Sequence, residues 1–317
     1  MQISDEMVKD KLIKDESVQD EKQVVQQLSI ANISSMNLLL KEQCKELIVI
    51  AGPCTIESRE DFSILESVAL LNEQQKIVHA LRGGSYKPRT SPNSFQGLGR
   101  EALEILREAR ERTGLPIVTE IMDLRNIELF LEMQVDIFQV GSRNMQNYEL
   151  LKELGRYNVP VLLKRGLAAD FDEVKGAIDY LKFHHADRPV MLCLRGLKKM
   201  DYGVSGIAGL RDSQRGQNIE YRFFSDAEDI KKAKEIVDGM KNVIVGFDPS
   251  HVAGHEKYVR EISESAVENG ADFLMIEVIR NESQRPLRQC DGKQAVVVNN
   301  LNTLLQSCRT IYGNRID

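Results

Sequence analysis

The stretch LIVIAGPCTIES, residues 47–58, contains the pattern that decides the fold. Its first five residues are apolar and mostly β-branched, Gly52 and Pro53 interrupt the run, and polar side chains follow. Short apolar runs bounded by such turn signals predict buried strands. Eight of them occur in order, at Leu47–Ala51, Ile77–Leu81, Pro116–Ile121, Val135–Val140, Pro160–Leu163, Val190–Leu194, Val243–Phe247 and Phe273–Val278.

Segments with helical spacing lie between these runs, at Arg100–Arg112, Tyr148–Tyr157, Phe171–Lys182, Asp226–Met240 and Glu256–Asn269. Alternating strands and helices predict an α/β fold with a parallel sheet covered by helices. Eight such units favour a (β/α)8 TIM barrel, which needs about 250 residues. The alternative is an open doubly wound sheet, although no GxGxxG follows the first strand to support a dinucleotide-binding version of it.

Two segments lie outside this repeat. Residues 1–45 are charged, contain heptad-like apolar positions and include neither Gly nor Pro. They predict a short N-terminal helical arm preceding a catalytic barrel at residues 46–317. The connection Gly196–Asp226 is glycine-rich and exceeds the roughly 12–15 residues of ordinary loops, so it predicts a functional loop over the mouth of the barrel.

Composition restricts the possible partners. The net charge of −6 argues against a nucleic-acid or acidic-membrane surface, because phosphate-rich partners favour basic proteins. The apolar runs fall short of the roughly 18 residues of a membrane helix, and the first 24 residues lack a signal-peptide core, which predicts a cytoplasmic protein. Five cysteines without a CxxC pair argue against a disulfide framework.

Polar residues follow every apolar run, at the face where barrel enzymes build their sites. Cys54, His251 and Glu277 follow the first, seventh and eighth strands, which are neighbours in a closed barrel, and Asp291 lies in the next loop. A thiolate, an imidazole and two carboxylates suit a divalent transition metal better than magnesium. Each residue also has an ordinary explanation alone: a buried cysteine, a loop-capping histidine and rim carboxylates.

A second group at the same face is cationic. Arginine binds phosphate and carboxylate through paired hydrogen bonds, so several arginines on an acidic protein predict a substrate with several negative charges. We expect one or two of the group to form structural ion pairs with Glu57, Glu120 or Asp248 instead. The members are Arg82, Lys87, Arg89, Arg143, Lys164, Arg165 and Arg195.

Six collinear motifs resemble those of 3-deoxy-D-arabino-heptulosonate 7-phosphate (DAHP) synthase, most closely its short bacterial and archaeal type (type I beta-like). The longest is RGGSYKPRTSP followed by SFQG, at residues 82–92 and 94–97. The others are GPC with ES (52–54 and 57–58), RNMQN (143–147), LKRG (163–166), DPSH (248–251) and CDGKQ (290–294). One such motif is moderately specific, whereas six in the same order are very specific.

The resemblance implies a C–C bond forming transferase of the shikimate pathway. It would condense phosphoenolpyruvate with erythrose 4-phosphate and water to give DAHP and phosphate, as a cytoplasmic homodimer or homotetramer. The sister family, which makes an octulosonate 8-phosphate from arabinose 5-phosphate, typically carries an asparagine-containing version of the Lys87–Thr90 stretch. Lys-Pro-Arg-Thr at this position therefore favours the four-carbon aldose.

The resemblance also implies roles for individual residues. A divalent metal would be bound by Cys54, His251, Glu277 and Asp291, with manganese expected first and zinc, iron(II) or cobalt(II) as alternatives. Phosphoenolpyruvate would be bound by Arg82, Lys87, Arg143, Lys164 and Arg195, and the aldose phosphate by Arg89 and Thr90. The residues Lys87, Lys164, His251 and Cys54 would be catalytic.

Several positions depart from the family pattern. Leu194 replaces the usual glutamate before Arg195, Lys198–Asp201 replaces an Arg-x-Phe stretch, and Ile279-Arg280 replaces His-Pro. These changes leave open a synthase for a modified aldose phosphate. They also leave open a non-catalytic homologue that binds sugar phosphates. A metal-free aldolase using Lys164 as a Schiff-base lysine is a third alternative.

Overall fold

A closed barrel of eight parallel strands forms the centre of the protein. The computed structural model describes residues 46–75, 77–197 and 228–316. Strands β1 to β8 pair in chain order, and pairing of β1 with β8 closes the barrel. The strands are Ile48–Gly52, Ala80–Arg82, Ile117–Ile121, Ile137–Val140, Val161–Lys164, Val190–Leu194, Val243–Phe247 and Phe273–Ile279, and a short β9, Val296–Val297, pairs with β8. The predicted (β/α)8 barrel is confirmed, and the open sheet is wrong.

Helices cover the outside of the barrel between successive strands. In chain order, α1 to α9 of the described residues are Phe62–Gln75, Arg100–Thr113, Ile127–Glu132, Tyr148–Arg156, Phe171–Lys182, Glu228–Val237, Pro249–Ala253, Val259–Glu268 and Val298–Ile316. The predicted arm at residues 1–45, and residues 198–226 of the predicted loop, lie outside the described residues. Among the described helices, none has both the length and the apolar composition that a membrane span requires.

The strands are mostly apolar because both of their faces are buried. Ile48 and Ile50 of β1 lie in the cluster inside the barrel, whereas Val49 and Ala51 belong to the layer between strands and helices. Such burial of both faces is typical of parallel sheets and explains the continuous apolar runs in the sequence. Consequently, the polar side chains that function requires lie at the carboxyl ends of the strands.

Carboxylates at the amino ends of two strands tie neighbouring strands together. Asp136 accepts a hydrogen bond from the Ile117 N–H at 2.9 Å and pairs with Arg110 of α2 at 2.8 Å. Asp272 accepts one from the Val245 N–H at 2.9 Å and pairs with Lys234. Both contacts lie at the end of the barrel opposite the site described below, which makes them structural.

Candidate active site

Four side chains from distant parts of the chain meet at the carboxyl end of the barrel. Cys54 follows β1, His251 lies in α7, Glu277 lies in β8 and Asp291 lies between β8 and β9. One ligand atom from each residue lies within 4.8 Å of those of the other three. Cys54 Sγ is 3.4 Å from Asp291 Oδ2, and His251 Nε2 is 3.4 Å from Glu277 Oε1. The four donors, all buried or half-buried, are spaced as ligands around a single cation would be.

A short helix after β7 presents the imidazole. Asp248 is the N-cap of α7, Pro249 occupies the first turn, and Asp248 Oδ1 accepts the His251 N–H at 3.1 Å. The other oxygen of Asp248 lies 2.7 Å from His251 Nδ1. A carboxylate this close to Nδ1 favours the tautomer with the proton on Nδ1. In that tautomer the Nε2 lone pair faces Glu277 and Asp291, which is the usual arrangement behind a metal-binding histidine.

The Glu277 carboxylate is oriented by groups on both sides. Gln294 donates a hydrogen bond to Glu277 Oε2 at 2.6 Å, and Arg82 Nη1 lies 3.4 Å from Oε1. The Glu277 N–H donates to Ser250 Oγ at 3.0 Å, which joins β8 to α7. Oε1 therefore points toward His251, while Oε2 is occupied by the glutamine amide.

The ionisation of the four side chains follows from their burial and from the charges around them. Burial, reinforced by Glu277, raises the pKa of the Cys54 thiol well above its ordinary value, although the Lys87 ammonium opposes this. Burial lowers the pKa of His251, so the imidazole is neutral at neutral pH. Burial would raise the pKa of Glu277, but His251 and Arg82 hold it below its ordinary value. A neutral imidazole and an ionised carboxylate are the forms that bind metals.

Lys87 connects the four-residue cluster to the cationic group. Its Nζ lies 2.8 Å from Cys54 Sγ and 3.0 Å from Asp291 Oδ2. The pKa of Lys87 is raised because Cys54 and Asp291 outweigh the effect of burial. Lys87 is therefore an ammonium in contact with two of the four candidate ligands.

A cavity of about 380 Å³ opens beside these four residues. Cys54, His251 and Asp291 form part of its wall. The cations predicted from the sequence, with the exception of Arg165, surround the same space. They are Arg82, Lys87, Arg89, Arg143, Lys164 and Arg195, and Thr90 lines the cavity with them. A small polyanion in this cavity would contact the positive charges and the metal ligands together.

Arg165 is a structural cation, but its acidic partner is Asp229 and not one of the three expected from the sequence. Its guanidinium donates to Ala169 O at 3.0 Å, pairs with Asp229 at 2.9 Å and stacks over the Phe171 ring. The neighbouring Lys164 points into the barrel and contacts Asp248 Oδ2. Side chains of consecutive strand residues face opposite sides of a sheet, which separates the roles of these two neighbours.

Some residues of the site were not singled out from the sequence. Asp248 was noted only as a possible structural partner, yet it contacts both Lys164 and His251. Burial would raise the pKa of Asp248, but His251 and Lys164 hold it well below its ordinary value. Gln294 lay within a recognised motif without an assigned role. The DPSH and CDGKQ motifs were the available signals for both residues.

Glu120 is a buried carboxylate in the cavity wall. Gln139 donates a hydrogen bond to it at 3.1 Å, and burial raises the pKa of Glu120. A Cβ atom at Gly141 would lie 1.9 Å from Glu120 Oε1, so glycine at this position leaves the room that the carboxylate occupies.

The departures from the family pattern that fall on described residues do not line the cavity. Leu194 is buried in the layer between strands and helices, while the adjacent Arg195 lines the cavity. Ile279 packs against Ala295 and Val297. Lys198–Asp201 lies outside the described residues.

Comparisons with known proteins agree on one family. A profile of the "DAHP synthetase I family" matches residues 32–311. Phospho-2-dehydro-3-deoxyheptonate aldolase from Thermotoga maritima is 34% identical over 263 residues, which are 83% of this chain and 69% of that protein. More distant are the 2-dehydro-3-deoxyphosphooctonate aldolases, such as one from Campylobacter jejuni, 25% identical over 86% of this chain and 100% of that protein.

Solved structures agree with the sequence comparisons. The crystal structure of phospho-2-dehydro-3-deoxyheptonate aldolase (DAHP synthase) from Thermotoga maritima has a TM-score of 0.69 at 32% identity, covering 85% of this chain and 70% of that chain. A truncated form of 3-deoxy-D-arabino-heptulosonate 7-phosphate synthase from Thermotoga maritima has a TM-score of 0.66 at 29% identity, covering 85% of this chain and 88% of that chain.

Proposed function

The chain belongs to the DAHP synthetase I family, and we propose that it condenses phosphoenolpyruvate with erythrose 4-phosphate and water to give DAHP and phosphate. The observation that carries this proposal is one cavity whose wall contains three of the four candidate metal ligands and six cationic side chains. The reaction joins two phosphorylated anions, so it needs this concentration of positive charge.

We assign the metal site to Cys54, His251, Glu277 and Asp291. The donors fit a divalent transition metal, because a sulfur and an imidazole accompany two carboxylates. Manganese is our first expectation, with zinc, iron(II) or cobalt(II) as alternatives. When bound, the ion would supply Lewis acidity that polarises the aldehyde carbonyl or a water molecule.

The cations divide into two substrate sites in this proposal. Arg89 and Thr90 take the phosphate of the aldose, on the rim near Cys290, to which Arg89 Nη1 donates at 3.5 Å. Buried guanidinium groups bind phosphate and carboxylate oxygens without the freedom to reorient, which holds the substrate in one pose. Phosphoenolpyruvate is assigned to the other five cations of the cavity, of which three are buried and Arg143 is exposed. They are Arg82, Lys87, Arg143, Lys164 and Arg195.

The reaction follows from this placement. The enol carbon C3 of phosphoenolpyruvate bonds to the aldehyde carbon, whose oxygen becomes a hydroxyl, while water adds at C2 and phosphate leaves. The charge that builds on the phosphate and the C2 substituents is stabilised by fixed ammonium and guanidinium groups, without a covalent link to the enzyme. Asp248 holds Lys164 and His251 in place throughout, because it contacts both. Lys87, Lys164, His251 and Cys54 are the residues that we assign to catalysis.

Erythrose 4-phosphate is preferred over a modified aldose phosphate because Leu194 and Ile279, two of the unusual positions, are buried away from the cavity. The test is a panel of erythrose, arabinose and ribose phosphates with phosphoenolpyruvate and manganese, followed by loss of the enolpyruvate absorbance. We expect the highest kcat/KM for erythrose 4-phosphate and complete loss of activity with a chelator. If the protein turns over a different aldose phosphate and not erythrose 4-phosphate, that sugar becomes the assigned substrate. If it turns over none of them, a non-catalytic homologue is favoured.

The Schiff-base alternative has a separate test. Lys164 Nζ is in contact with the buried Asp248 carboxylate, and this contact would have to break before the amine could attack a carbonyl. Borohydride added with both substrates should leave the mass of the protein unchanged. A reduced adduct on Lys164 would replace the metal-dependent proposal. By the same family relationship, we propose a cytoplasmic homodimer or homotetramer.

A further inference from the structure

The loop that carries Cys54 is tied to the loop that carries Asp291 by the side chain of Glu57. Glu57 Oε1 accepts the Cys290 N–H at 2.9 Å, and Oε2 accepts the Gln289 N–H at 2.9 Å. The backbone N–H groups of the two residues immediately before Asp291 are therefore held by a residue that lies three positions after Cys54. The two loops are more than 230 residues apart in sequence, as the separation of 237 between Cys54 and Asp291 indicates.

Arg288 strengthens the same connection. Its guanidinium donates to Asp61 Oδ1 at 2.5 Å and to Thr55 O at 2.5 Å, and lies 3.3 Å from Glu57 Oε1. Asp61 Oδ2 in turn accepts the Glu57 N–H at 2.7 Å. The side chains of Arg288, Glu57 and Asp61 are 6%, 8% and 4% exposed. Each of the four carboxylate oxygens in this buried network accepts a hydrogen bond, so the relative positions of the two loops are tightly fixed.

The backbone at Asp291 requires such support. Asp291 has φ 49° and ψ 26°, a left-handed conformation that a residue with a Cβ rarely adopts. A conformation of this kind costs on the order of 1–3 kcal/mol and persists where its surroundings hold it. The residues on its amino side are held by Glu57. On its carboxyl side, Arg285 Nη1 donates to Gly292 O at 2.8 Å.

We propose that Glu57, Arg288 and Asp61 are positioning residues that set the distance between Cys54 Sγ and Asp291 Oδ2, and thereby the affinity of the metal site. This inference rests on the proposed function, because it takes Cys54 and Asp291 as ligands. The described residues that line the cavity do not include these three. They act on the site through the two loops and have no contact with substrate.

Two conservative variants test the proposal. Glu57→Gln keeps the size of the side chain but turns one accepting oxygen into a donor facing a backbone N–H. Arg288→Lys keeps the charge but loses the fork that joins Asp61 to Thr55 O. By analogy with other groups that orient metal ligands, each should weaken manganese binding by about 10- to 100-fold. Affinity is measured by calorimetric titration of the purified full-length chain with the metal alone.

A spectroscopic readout separates positioning from general destabilisation. Cobalt(II) bound by a thiolate has a sulfur-to-metal charge-transfer absorption, which should weaken or shift in both variants. The KM for phosphoenolpyruvate should change less than the metal affinity does. Lys87 and Arg82 contact the loop of Cys54, whereas Lys164 is held by Asp248, which lies outside both loops. The matched control is Arg110→Lys, which perturbs the ion pair with Asp136 at the opposite end of the barrel.

The outcomes distinguish this inference from the proposed function. If the wild type does not bind metal, or Cys54→Ser binds it equally well, the proposed function fails. If Cys54→Ser loses affinity but Glu57→Gln and Arg288→Lys bind as the wild type does, only the positioning role fails. Equal losses in Arg110→Lys would likewise overturn it. Should either variant fail to fold, Asp61→Asn replaces it, since it perturbs the same network from the β1 side.

Discussion

Replacing Asp248 by asparagine should damage both the metal site and the stability of the barrel. In the wild type, Oδ2 contacts Lys164 Nζ and lies 2.7 Å from His251 Nδ1, and Oδ1 accepts the His251 N–H at 3.1 Å. In Asp248→Asn, one of these positions becomes an NH2 group. If the NH2 group faces the backbone N–H of His251, two hydrogen-bond donors face each other. If it faces the imidazole, Nδ1 must accept, and the proton moves to Nε2, the atom that would bind the metal.

The size of the effect follows from burial. Asp248 is 0% exposed and Lys164 is 3% exposed, so the variant leaves a buried ammonium without its counter-charge. Breaking such a pair costs about 3–5 kcal/mol. At about 2 °C per kcal/mol for a large domain, Tm should fall by roughly 6–10 °C. Loss of the group that orients the histidine should weaken metal binding by about 10- to 100-fold.

The effect on stability should also depend on pH. His251 and Lys164 hold the pKa of Asp248 well below its ordinary value, despite the opposing effect of burial. A carboxylate whose pKa is lowered by folding stabilises the folded state. This stabilisation is fully present above about pH 4 and is lost as the pH falls through the folded-state pKa. The difference in Tm between wild type and Asp248→Asn should therefore be largest near neutral pH and shrink in acid.

Thermal unfolding without metal and calorimetric titration with manganese measure the two effects separately. Asp272→Asn is the matched control, because Asp272 is a buried carboxylate that pairs with Lys234 and the Val245 N–H at the other end of the barrel. It should lower Tm and leave manganese affinity unchanged. Wild-type affinity in Asp248→Asn, or equal loss of affinity in both variants, would refute the reasoning.

Three further predictions concern single residues. Because burial and Glu277 raise the pKa of the Cys54 thiol, metal binding near about pH 7.5 should release one proton that Cys54→Ser does not release. Calorimetry in buffers of different ionisation enthalpy measures that proton, and its absence in the wild type would mean that no thiolate forms. Gly141→Ala places a methyl carbon 1.9 Å from Glu120 Oε1, so it should cost about 1–3 kcal/mol in a thermal melt and lower kcat; unchanged values would show that Glu120 moves freely. Arg89→Ala should raise KM for the aldose phosphate by about tenfold or more and KM for phosphoenolpyruvate much less; equal increases in steady-state kinetics would contradict the two-site assignment.

Strand positions were predictable because burial on both faces makes each strand a continuous apolar run. The first and last residues of the strands were less predictable, because buried residues can extend beyond the part of the chain that pairs with a neighbouring strand. Ile77 and Val78 are buried, yet β2 begins at Ala80. The helix predicted from Glu256 begins as a 3-10 turn, and α8 starts at Val259. Strand β9 has two residues, too short to produce a pattern.

The grouping of Cys54, His251 and Glu277 was predictable from strand order, because the first, seventh and eighth strands are neighbours in a closed barrel. Asp291 was added to this group only as an acid of the loop after the eighth strand, because its left-handed backbone leaves no mark in the apolar pattern. An ion pair between one of the cations and Asp248 was among the expected pairs, and Lys164 forms it. The second contact of Asp248, with His251, was not predictable because it depends on side-chain distances. The same applies to Gln294 and Glu277.

The central claim is that Cys54, His251, Glu277 and Asp291 bind one cation. X-ray absorption at the metal edge tests it most directly, on the full-length chain loaded with one equivalent of zinc. We expect a single sulfur at about 2.3 Å among nitrogen and oxygen neighbours, and its loss in Cys54→Ser. A zinc shell of nitrogen and oxygen alone in the wild type would contradict the claim.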